Sequence, residues 1–501
     1  MNLLEEIIAI VSPESAFRRL HFRNANKALA AYEAAKPGRF RKSGADNSSG
    51  DTVVLRAGAN MRGYARQLDQ NHDLARGVLN TLVNNVVGPN GISIEPQPKD
   101  KDGNIHEGFA KQLSMYHEIW SKKPEVTGEH DRKSMERISA RSLFRDGEML
   151  TQFIEGIVKG LEHGSVVPFS LELIEADYLP FTKNDEKKGI TQGVERNAWG
   201  KPTAYHIYKK HPGDATSLFT TETKRVPAAN IAHLKLSDRI KQARGVSMFA
   251  SVMRRLEDLK DYEESERIAA RVAAAMTAYI KKGNPDMYAG TEGTNTQRHI
   301  KMQPGMVADG LQIGEDIGTI QSNRPSALLE PFRNAMLKAI AAGASTNYSS
   351  IARDYDGSYS SQRQELVEGW CNYQSLTGLF ISLQPAPSYV KFVNMCIASG
   401  LVKIPADLDR RTMFDADFRG PAMPWIDPER EIKAKVLSEQ AGYKSAQQNI
   451  RESGGTPETV RKQIKTWRMK NDEEGLVFIT DSKHELQKDK SSEEDNSKKG
   501  E

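Results

Sequence analysis

Cysteine is nearly absent, because only Cys371 and Cys396 occur in the 501 residues. Neither belongs to a C-x-x-C pair or lies beside a histidine cluster, so the sequence indicates neither a disulfide framework nor a zinc site. Such sparse use of cysteine is typical of a protein made in a reducing cytoplasm.

Long apolar runs are also missing. No stretch reaches the roughly 18 to 20 apolar residues that a membrane helix needs. The first residues, MNLLEEIIAIVSPESAFRRL, carry acids where a signal peptide has its basic region. We therefore expect a soluble protein made in the cytoplasm, with no membrane contact.

An excess of one charge sign is missing too. The chain has 70 Lys and Arg against 66 Asp and Glu, which leaves a formal net charge of +4. Bulk positive charge therefore does not draw nucleic acid to the whole surface, and any DNA contact must be local. The length allows two to four ordinary domains or one elongated subunit.

The common catalytic motifs are absent. The sequence contains no G-x-x-x-x-G-K-[ST], no G-x-S-x-G and no H-E-x-x-H, and it indicates no cofactor. The run RDYDGS at residues 353–358 is similar to part of a calcium loop, but Glu365 falls at the wrong offset for an EF-hand. An ordinary turn explains the run better, since Asp and Gly favour turns for backbone reasons.

The first half of the chain mixes helical and strand patterns. A helical arm and a Gly/Ser-rich basic linker precede NMRGYARQLDQNHDLARGVLNTLVNNVVG, whose apolar spacing predicts a helix that stops at Gly88. A second helical block spans residues 132–150. Strands are predicted in NGISIEPQP, TQFIEG, FSLELIEADYL, PTAYHIYKK and RVPAANIAHLKL.

The strongest helical signal covers residues 246–280 and carries eleven charged residues between Arg254 and Arg271. A rod of roughly 50 Å with charge on most faces suits packing against copies of itself or exposure along a channel. A surface helix with i,i+4 ion pairs is the alternative. A Gly/Asn/Thr-rich segment, 281–326, and a helix at 327–343 follow.

Several stretches, in order along the chain, carry a resemblance. They are VNNVVGPNGI, FRDGEML, LIEADYL, WGKPTAYHIY, RGVSMFASVMRRLEDLKDYEESERIAARVAAA, EPFRNAMLKAIAAGASTNYSSIARDYDGSYSSQR and PAMPWIDPERE. Together they resemble the lambda-like family of tailed-bacteriophage portal (head-tail connector) proteins, from about residue 60 to 455. Family members usually read NYSS at residues 358–361 and have Trp at Met423, so this chain departs mildly there.

The resemblance implies an α+β portal-type subunit that assembles into a ring. Mapped onto this chain, it implies an N-terminal arm and mobile linker (1–59), a wing (60–245), a first stem helix (246–280), a clip (281–326), a second stem helix (327–343), a tunnel loop (344–360), a long helix with the rest of the wing (361–435), a helical crown (436–470) and a disordered tail (471–501).

The resemblance also implies a function. The chain would form a dodecameric ring at one capsid vertex, the channel for double-stranded DNA during packaging and ejection, without catalysis. Implied partners are other copies of itself, the terminase large subunit, the major capsid or scaffold protein and a head-tail adaptor. The implied location is the virion, with the host cytoplasm during assembly.

Two sets of candidate site residues follow. The first would line the narrowest part of the channel, unless this loop is a surface turn of the wing: Asn347, Tyr348, Ser349, Arg353, Asp354 and Tyr355. The second would form inter-subunit ion pairs or line the channel, with ion pairs favoured because acids alternate with these residues: Arg254, Arg255, Lys260, Arg267 and Arg271.

An enzyme of another class is the alternative. The acid pairs Asp354/Asp356 and Asp415/Asp417 could hold a divalent metal in a phage-encoded DNA-processing enzyme. Both pairs lie in turn-like sequence, where Asp is common for backbone reasons. We therefore expect no metal site at either pair.

Overall fold

The computed structural model describes residues 47–214, 222–274, 278–282, 315–319, 328–424 and 427–476. Residues 1–46 of the predicted N-terminal arm and linker, most of the predicted clip and the tail from residue 477 lie outside these residues. The end of the predicted mobile linker, from Gly50, is helix instead. The chain divides into two compact units, residues 1–53 and 54–501. In the first unit, the Thr52 N–H donates a 3.2 Å hydrogen bond to the Ser49 hydroxyl at the start of a helix.

Helices account for nearly half of the described residues. They are α1 (Gly50–Asn71), α2 (Asp73–Val86), α3 (Glu107–Ser121), α4 (Arg132–Asp146), α5 (Met253–Ala274), α6 (Leu329–Gly343), α7 (Tyr348–Ala352), α8 (Tyr359–Leu383), α9 (Pro385–Ala398), α10 (Pro428–Gln440), α11 (Ala446–Glu452) and α12 (Pro457–Glu474). None of these helices is long and apolar enough to cross a membrane.

The strands form small antiparallel sheets. They are β1 (Ser93–Pro96), β2 (Glu148–Glu155), β3 (Phe169–Glu175), β4 (Ile190–Thr191), β5 (Val194–Arg196), β6 (Pro202–Tyr208), β7 (Thr223–Pro227), β8 (Ile231–Lys235), β9 (Ala278–Lys282), β10 (Glu315–Thr319) and β11 (Ala416–Arg419). The strand orders are β1-β11, β10-β9, β3-β2-β8 and β4-β5-β6-β7. This mixture confirms the predicted α+β class.

The helix α4 leads directly into the central strand β2, and both ends of the helix are specified locally. The Asp131 carboxylate accepts a 2.8 Å hydrogen bond from the Ser134 N–H, which caps the first turn. Gly147 ends the helix at φ +84°, and a Cβ there would overlap the backbone of Val246. The predicted block 132–150 therefore divides at Gly147 into a helix and a strand.

The main core lies where α2, α3, α8 and α9 meet the β3-β2-β8 sheet. Its centre is aromatic: Trp120 stacks on Phe169 with ring centroids 5.5 Å apart, and the Trp120 indole N–H donates a 2.8 Å hydrogen bond to the Phe169 carbonyl. Each fully buried side chain of this size contributes about 1.5 to 3 kcal/mol to folding. This core fixes the elements from which α5 and α8 extend.

The predicted helix at 246–280 is shorter than expected. Residues 248–252 form a turn in which the Met248 N–H donates a 3.0 Å hydrogen bond to the Phe144 carbonyl, so α5 begins only at Met253. At its other end, Ala278–Lys282 pairs as β9 with β10 instead of continuing the helix. Strand pairing wins here because residues such as Tyr279 and Ile280 have high β-propensity.

Three other predictions concern the second half of the chain. The helix predicted at 327–343 is confirmed by α6, and the helix predicted from about residue 361 begins slightly earlier, at Tyr359. The tail predicted to be disordered from residue 471 begins with helix instead, because α12 continues to Glu474 and is capped by Gly475 at φ +72°.

Candidate functional site

The segment between α6 and α8 is held in place by the packing of α6 on α5. The Arg333 guanidinium forms a 2.7 Å ion pair with Glu263, and the Phe332 and Tyr262 rings lie 4.8 Å apart. At the end of α6, a Cβ on Gly343 would lie 2.5 Å from a methyl carbon of Val252. The close approach of the two helices at this glycine fixes where the following segment begins.

This segment is not a plain polar loop, because it contains the short helix α7. The Ser349 hydroxyl and N–H donate hydrogen bonds of 2.7 and 3.1 Å to the Glu365 carboxylate on α8. Arg353 then ends α7 in the left-handed conformation at φ +55°, which non-glycine residues adopt rarely. A short helix hydrogen-bonded to α8 therefore occupies part of the expected loop.

A second hydrogen bond closes the segment around Asp354. The Tyr348 hydroxyl donates to the Asp354 carboxylate over 2.9 Å, and the Asp356 N–H donates to the same carboxylate over 3.2 Å. These donors hold the pKa of the Asp354 carboxyl below its usual range. The Lys338 ammonium lies 5.4 Å from the Tyr348 ring centroid, so α6 also contacts this group.

The six residues predicted to line a channel are brought together, but they are not equally accessible. Arg353 and Tyr355 are exposed, the latter by 56%. Tyr348, Ser349 and Asp354 are half-buried. Asn347 is only 9% exposed, and its side chain packs against Gly369 on α8. In this conformation it therefore holds the segment against α8 and is not accessible from the surface.

The five basic residues predicted on the stem all lie on α5 and are all exposed. The Lys260 ammonium donates a 2.9 Å hydrogen bond to the Asn71 carbonyl. Within the described part of one chain, no ion pair involves Arg254, Arg255, Arg267 or Arg271. These guanidinium groups are therefore available to a partner.

The two acid pairs of the enzymatic alternative have other contacts. Asp354 is occupied by hydrogen bonds from its own segment, and Asp417 forms a 3.2 Å ion pair with Arg419. Among the described residues, the group of side chains that could hold a metal is Glu175, Asp177 and His211, and neither pair belongs to it. Asp177 in that group already pairs with Arg66 over 2.5 Å.

Sequence reasoning missed a buried charge cluster at the start of β2. The Glu148 carboxylate accepts hydrogen bonds of 2.8 Å from both Arg62 and Arg244 and one of 3.1 Å from His233. Arg244 is fully buried and lies 4.0 Å above the Phe181 ring centroid. The FRDGEML stretch contains Glu148, but no local pattern shows that residues nearly 100 positions apart meet there.

The charge state of this cluster follows from its partners. Burial acts to raise the pKa of the Glu148 carboxyl, but Arg244, His233 and Arg62 outweigh it, so the pKa lies below its usual range. Burial lowers the pKa of His233, which is therefore a neutral donor to Glu148 at neutral pH. The cluster joins α1, β2, β8 and the chain before α5, and its role is structural.

Comparison with known proteins decides the family. A family model described as phage portal protein, lambda family, matches residues 36–376, more than half of the chain. This chain belongs to the lambda family of phage portal proteins. The matched region includes α5, α6, the segment between α6 and α8, and the buried charge cluster.

Individual portal proteins are similar over much of their length. A probable portal protein of Halomonas phage phiHAP-1 is 25% identical over 430 residues, which are 83% of this chain and 81% of that protein. Portal protein B of Escherichia phage lambda is 19% identical over 300 residues, which are 54% of this chain and 56% of that protein.

Solved structures that match this chain come from gene transfer agent particles. A chain in the neck of the native particle, computed with C12 symmetry, has a TM-score of 0.48 at 11% identity and covers 81% of this chain and 94% of its own. A chain in the neck of the empty particle, computed with C6 symmetry, has a TM-score of 0.45 at 11% identity and covers 84% and 98%.

Proposed function

We propose that this portal-family chain forms a dodecameric ring at one capsid vertex and that the ring is the channel for packaging and ejection of double-stranded DNA. The observation that carries this proposal is the α5–α6 helix pair. Along the chain, the β9–β10 strand pair lies between α5 and α6, and the hydrogen-bonded segment around α7 follows α6. Membership of the lambda family of portal proteins supports the proposed ring.

The family architecture maps onto the observed elements. The sheets and helices up to β8 are the wing, α5 and α6 are the stem, β9 and β10 are the base of the clip, the α7 segment is the tunnel loop, and α10 to α12 form the crown. In this arrangement α8 and α9 connect the tunnel loop back to the wing core, which agrees with their burial against β2 and β8.

Ring assembly uses the exposed charges of α5. Arg254, Arg255, Arg267 and Arg271 alternate with acids along the helix and make no ion pair within the described part of their own chain. Contact with a neighbouring α5 or α6 would pair them, and ring symmetry would repeat every such contact around the axis. The alternation of signs favours pairing between subunits over direct contact with DNA.

The tunnel loop presents exposed polar side chains to passing DNA. Arg353 and Tyr355 make the contact, while Tyr348, Ser349 and Asp354 set the shape of the loop through their hydrogen bonds. The buried Asn347 side chain packs against α8 and so holds α7 in position. A near-neutral chain suits this role, because a tight phosphate contact repeated around the ring would hold the DNA in place.

The proposed role of the protein is mechanical and involves neither catalysis nor a cofactor. The proposed partners are the terminase large subunit at the clip, the major capsid or scaffold protein at the wing, and a head-tail adaptor. The protein would be made in the host cytoplasm and would reside at the portal vertex of the virion.

Native mass spectrometry of the purified full-length protein tests the proposal. We expect a species containing about twelve subunits of 55.8 kDa. A spectrum with only monomers and dimers at high protein concentration would contradict it.

A further inference from the structure

The helix α12 carries the highest local density of positive charge in the described part of the chain. Residues 461–470 read RKQIKTWRMK and contain five basic residues and no acid. By contrast, the interval from Arg254 to Arg271 on α5 contains five basic and six acidic residues. The net charge of the whole chain is close to zero, but this one helical stretch is strongly basic.

These basic side chains are open to solvent and form no ion pair with a residue that the structure describes. All residues from 461 to 470 are exposed. No ion pair or side-chain hydrogen bond to a described residue involves Arg461, Lys462, Lys465, Arg468 or Lys470. Positive charge of this density attracts counter-ions or a polyanion.

The geometry of α12 places the charges along a line. Arg461, Lys465 and Arg468 follow the i, i+4, i+7 spacing, so they share one face over about 10 Å of helix. The apolar Ile464 and Trp467 lie on the side of the buried residues Pro457 and Asn471, where an open groove of about 1490 Å³ separates α12 from α3. Ile464 follows Arg461 at i+3 and so lies beside these cations, and Arg461 and Arg468 also line the groove. The basic face therefore borders the groove along one edge.

The base of α12 is anchored, so the basic face has a fixed position. The Arg419 guanidinium donates a 2.6 Å hydrogen bond to the Gly455 carbonyl just before α12, and it pairs with Glu95 over 2.5 Å. Arg451 on α11 also pairs with Glu95, over 3.3 Å. These contacts join the α11–α12 turn to the β1–β11 strand pair.

We infer that the basic face of α12 binds the phosphate backbone of double-stranded DNA. A linear array of flexible cations suits a backbone with evenly spaced charges. A protein partner fits less well, because lysine is depleted in the buried centre of protein interfaces. This inference goes beyond the proposed function, since it adds a sequence-independent DNA contact on an element outside the stem and the tunnel loop.

A salt titration of DNA binding by the full-length protein tests the inference. The probe is a fluorescently labelled duplex of about 30 base pairs, and its anisotropy is followed from about 50 to 200 mM KCl. The test variant is R461Q/K465Q/R468Q, since Gln keeps the helix propensity. The control variant is K159Q/K187Q/K201Q, which removes the same charge from exposed lysines on wing loops.

We expect the α12 variant to bind at least about tenfold more weakly at low salt, with a log–log salt slope smaller by about 0.9 for each phosphate that the variant no longer neutralises. The DNA affinity of the control variant should stay within about twofold of that of the unmodified protein. A third variant, R461K/R468K, keeps the charge and should retain both the affinity and the slope of the unmodified protein.

Three results would overturn the inference. The first is equal weakening in the α12 and control variants, and the second is weakened binding by R461K/R468K, which would mean a structural role for the arginines. The third is no duplex binding by the unmodified protein at low salt, which would assign the face to an acidic protein surface. Sedimentation of the same samples reports ring assembly separately, so a failed ring and a failed DNA contact are distinguishable.

Discussion

Gly369 on α8 lies directly against the side chain of Asn347, so close that a Cβ on Gly369 would overlap the Asn347 amide. Asn347 immediately precedes α7. Its contact with Gly369 therefore fixes the distance between α8 and the segment that contains α7. A glycine in mid-helix costs about 0.5 to 1 kcal/mol relative to alanine, so its presence here has a packing reason.

Alanine at Gly369 is therefore expected to destabilise the protein by about 1 to 3 kcal/mol, because the buried Asn347 must move. Gly378 on the same helix is the matched control, since a Cβ there meets nothing within 4 Å. Gly378→Ala should be neutral or stabilising by up to about 1 kcal/mol. Thermal unfolding of both variants measures the difference, and equal melting temperatures would contradict the proposed support.

The Glu148 cluster predicts a large stability effect away from the stem. Replacement of Glu148 by Gln leaves the buried Arg244 without its ion-pair partner and leaves Arg62 only the 3.5 Å pair with Asp177, so it should cost about 3 to 5 kcal/mol. The control is Glu429→Gln, which breaks the exposed 2.6 Å pair with Lys433 and should change the melting temperature far less. Similar losses in the two variants would show that the cluster is not strongly coupled.

His117 predicts a pH dependence of stability. Burial, with a smaller effect from Arg132, lowers the pKa of His117 to about 3, against about 6.5 in the unfolded chain. The unfolded state therefore binds more protons between these values, and the free energy of unfolding should fall by about 1.4 kcal/mol for each pH unit below 6.5.

The variant His117→Phe removes this titration while it keeps a ring against Trp120 and Phe392, whose centroids lie 5.6 and 5.2 Å from that of His117. The difference in melting temperature between the variant and the unmodified protein should change steadily from pH 7 toward pH 5. Parallel curves over this range would mean that His117 does not contribute.

Charge reversal at Arg267 tests the pairing of α5 between subunits. Arg267→Glu places an acid where a neighbouring subunit should present one, so ring assembly should shift toward small species by sedimentation velocity. Lys201→Glu makes the same charge change on an exposed wing turn and should leave assembly unchanged. Rings of normal size and yield from Arg267→Glu would exclude the pairing role.

Periodicity and turn residues predicted much of the fold. The sequence located α6 and α8, the strands β1, β3, β6 and β8, and the stop at Gly88, since each depends on local spacing or on a residue with special backbone freedom. Local patterns failed where a distant partner decides the conformation. Residues 278–282 form a strand because β10 pairs with them, although they continue an apparent helical pattern.

The sequence predicted where along the chain the candidate site lies, but it did not predict the structure of that segment. The sequence predicted a loop with an ordinary turn, whereas the Ser349–Glu365 and Tyr348–Asp354 hydrogen bonds organise the segment around a short helix. The burial of Asn347 depends on Gly369, and the Glu148 cluster joins residues far apart in sequence. A single sequence contains no direct signal for such contacts.

The central claim is that twelve copies surround a DNA channel whose narrowest part is formed by the segment between α6 and α8. A cryo-electron microscopy reconstruction of the purified full-length protein tests this most directly, through the position of Arg353 and Tyr355 relative to the symmetry axis. The account predicts a closed ring in which these two side chains face the axis at the constriction. A ring in which they lie at the outer edge, or particles without a closed ring, would contradict it.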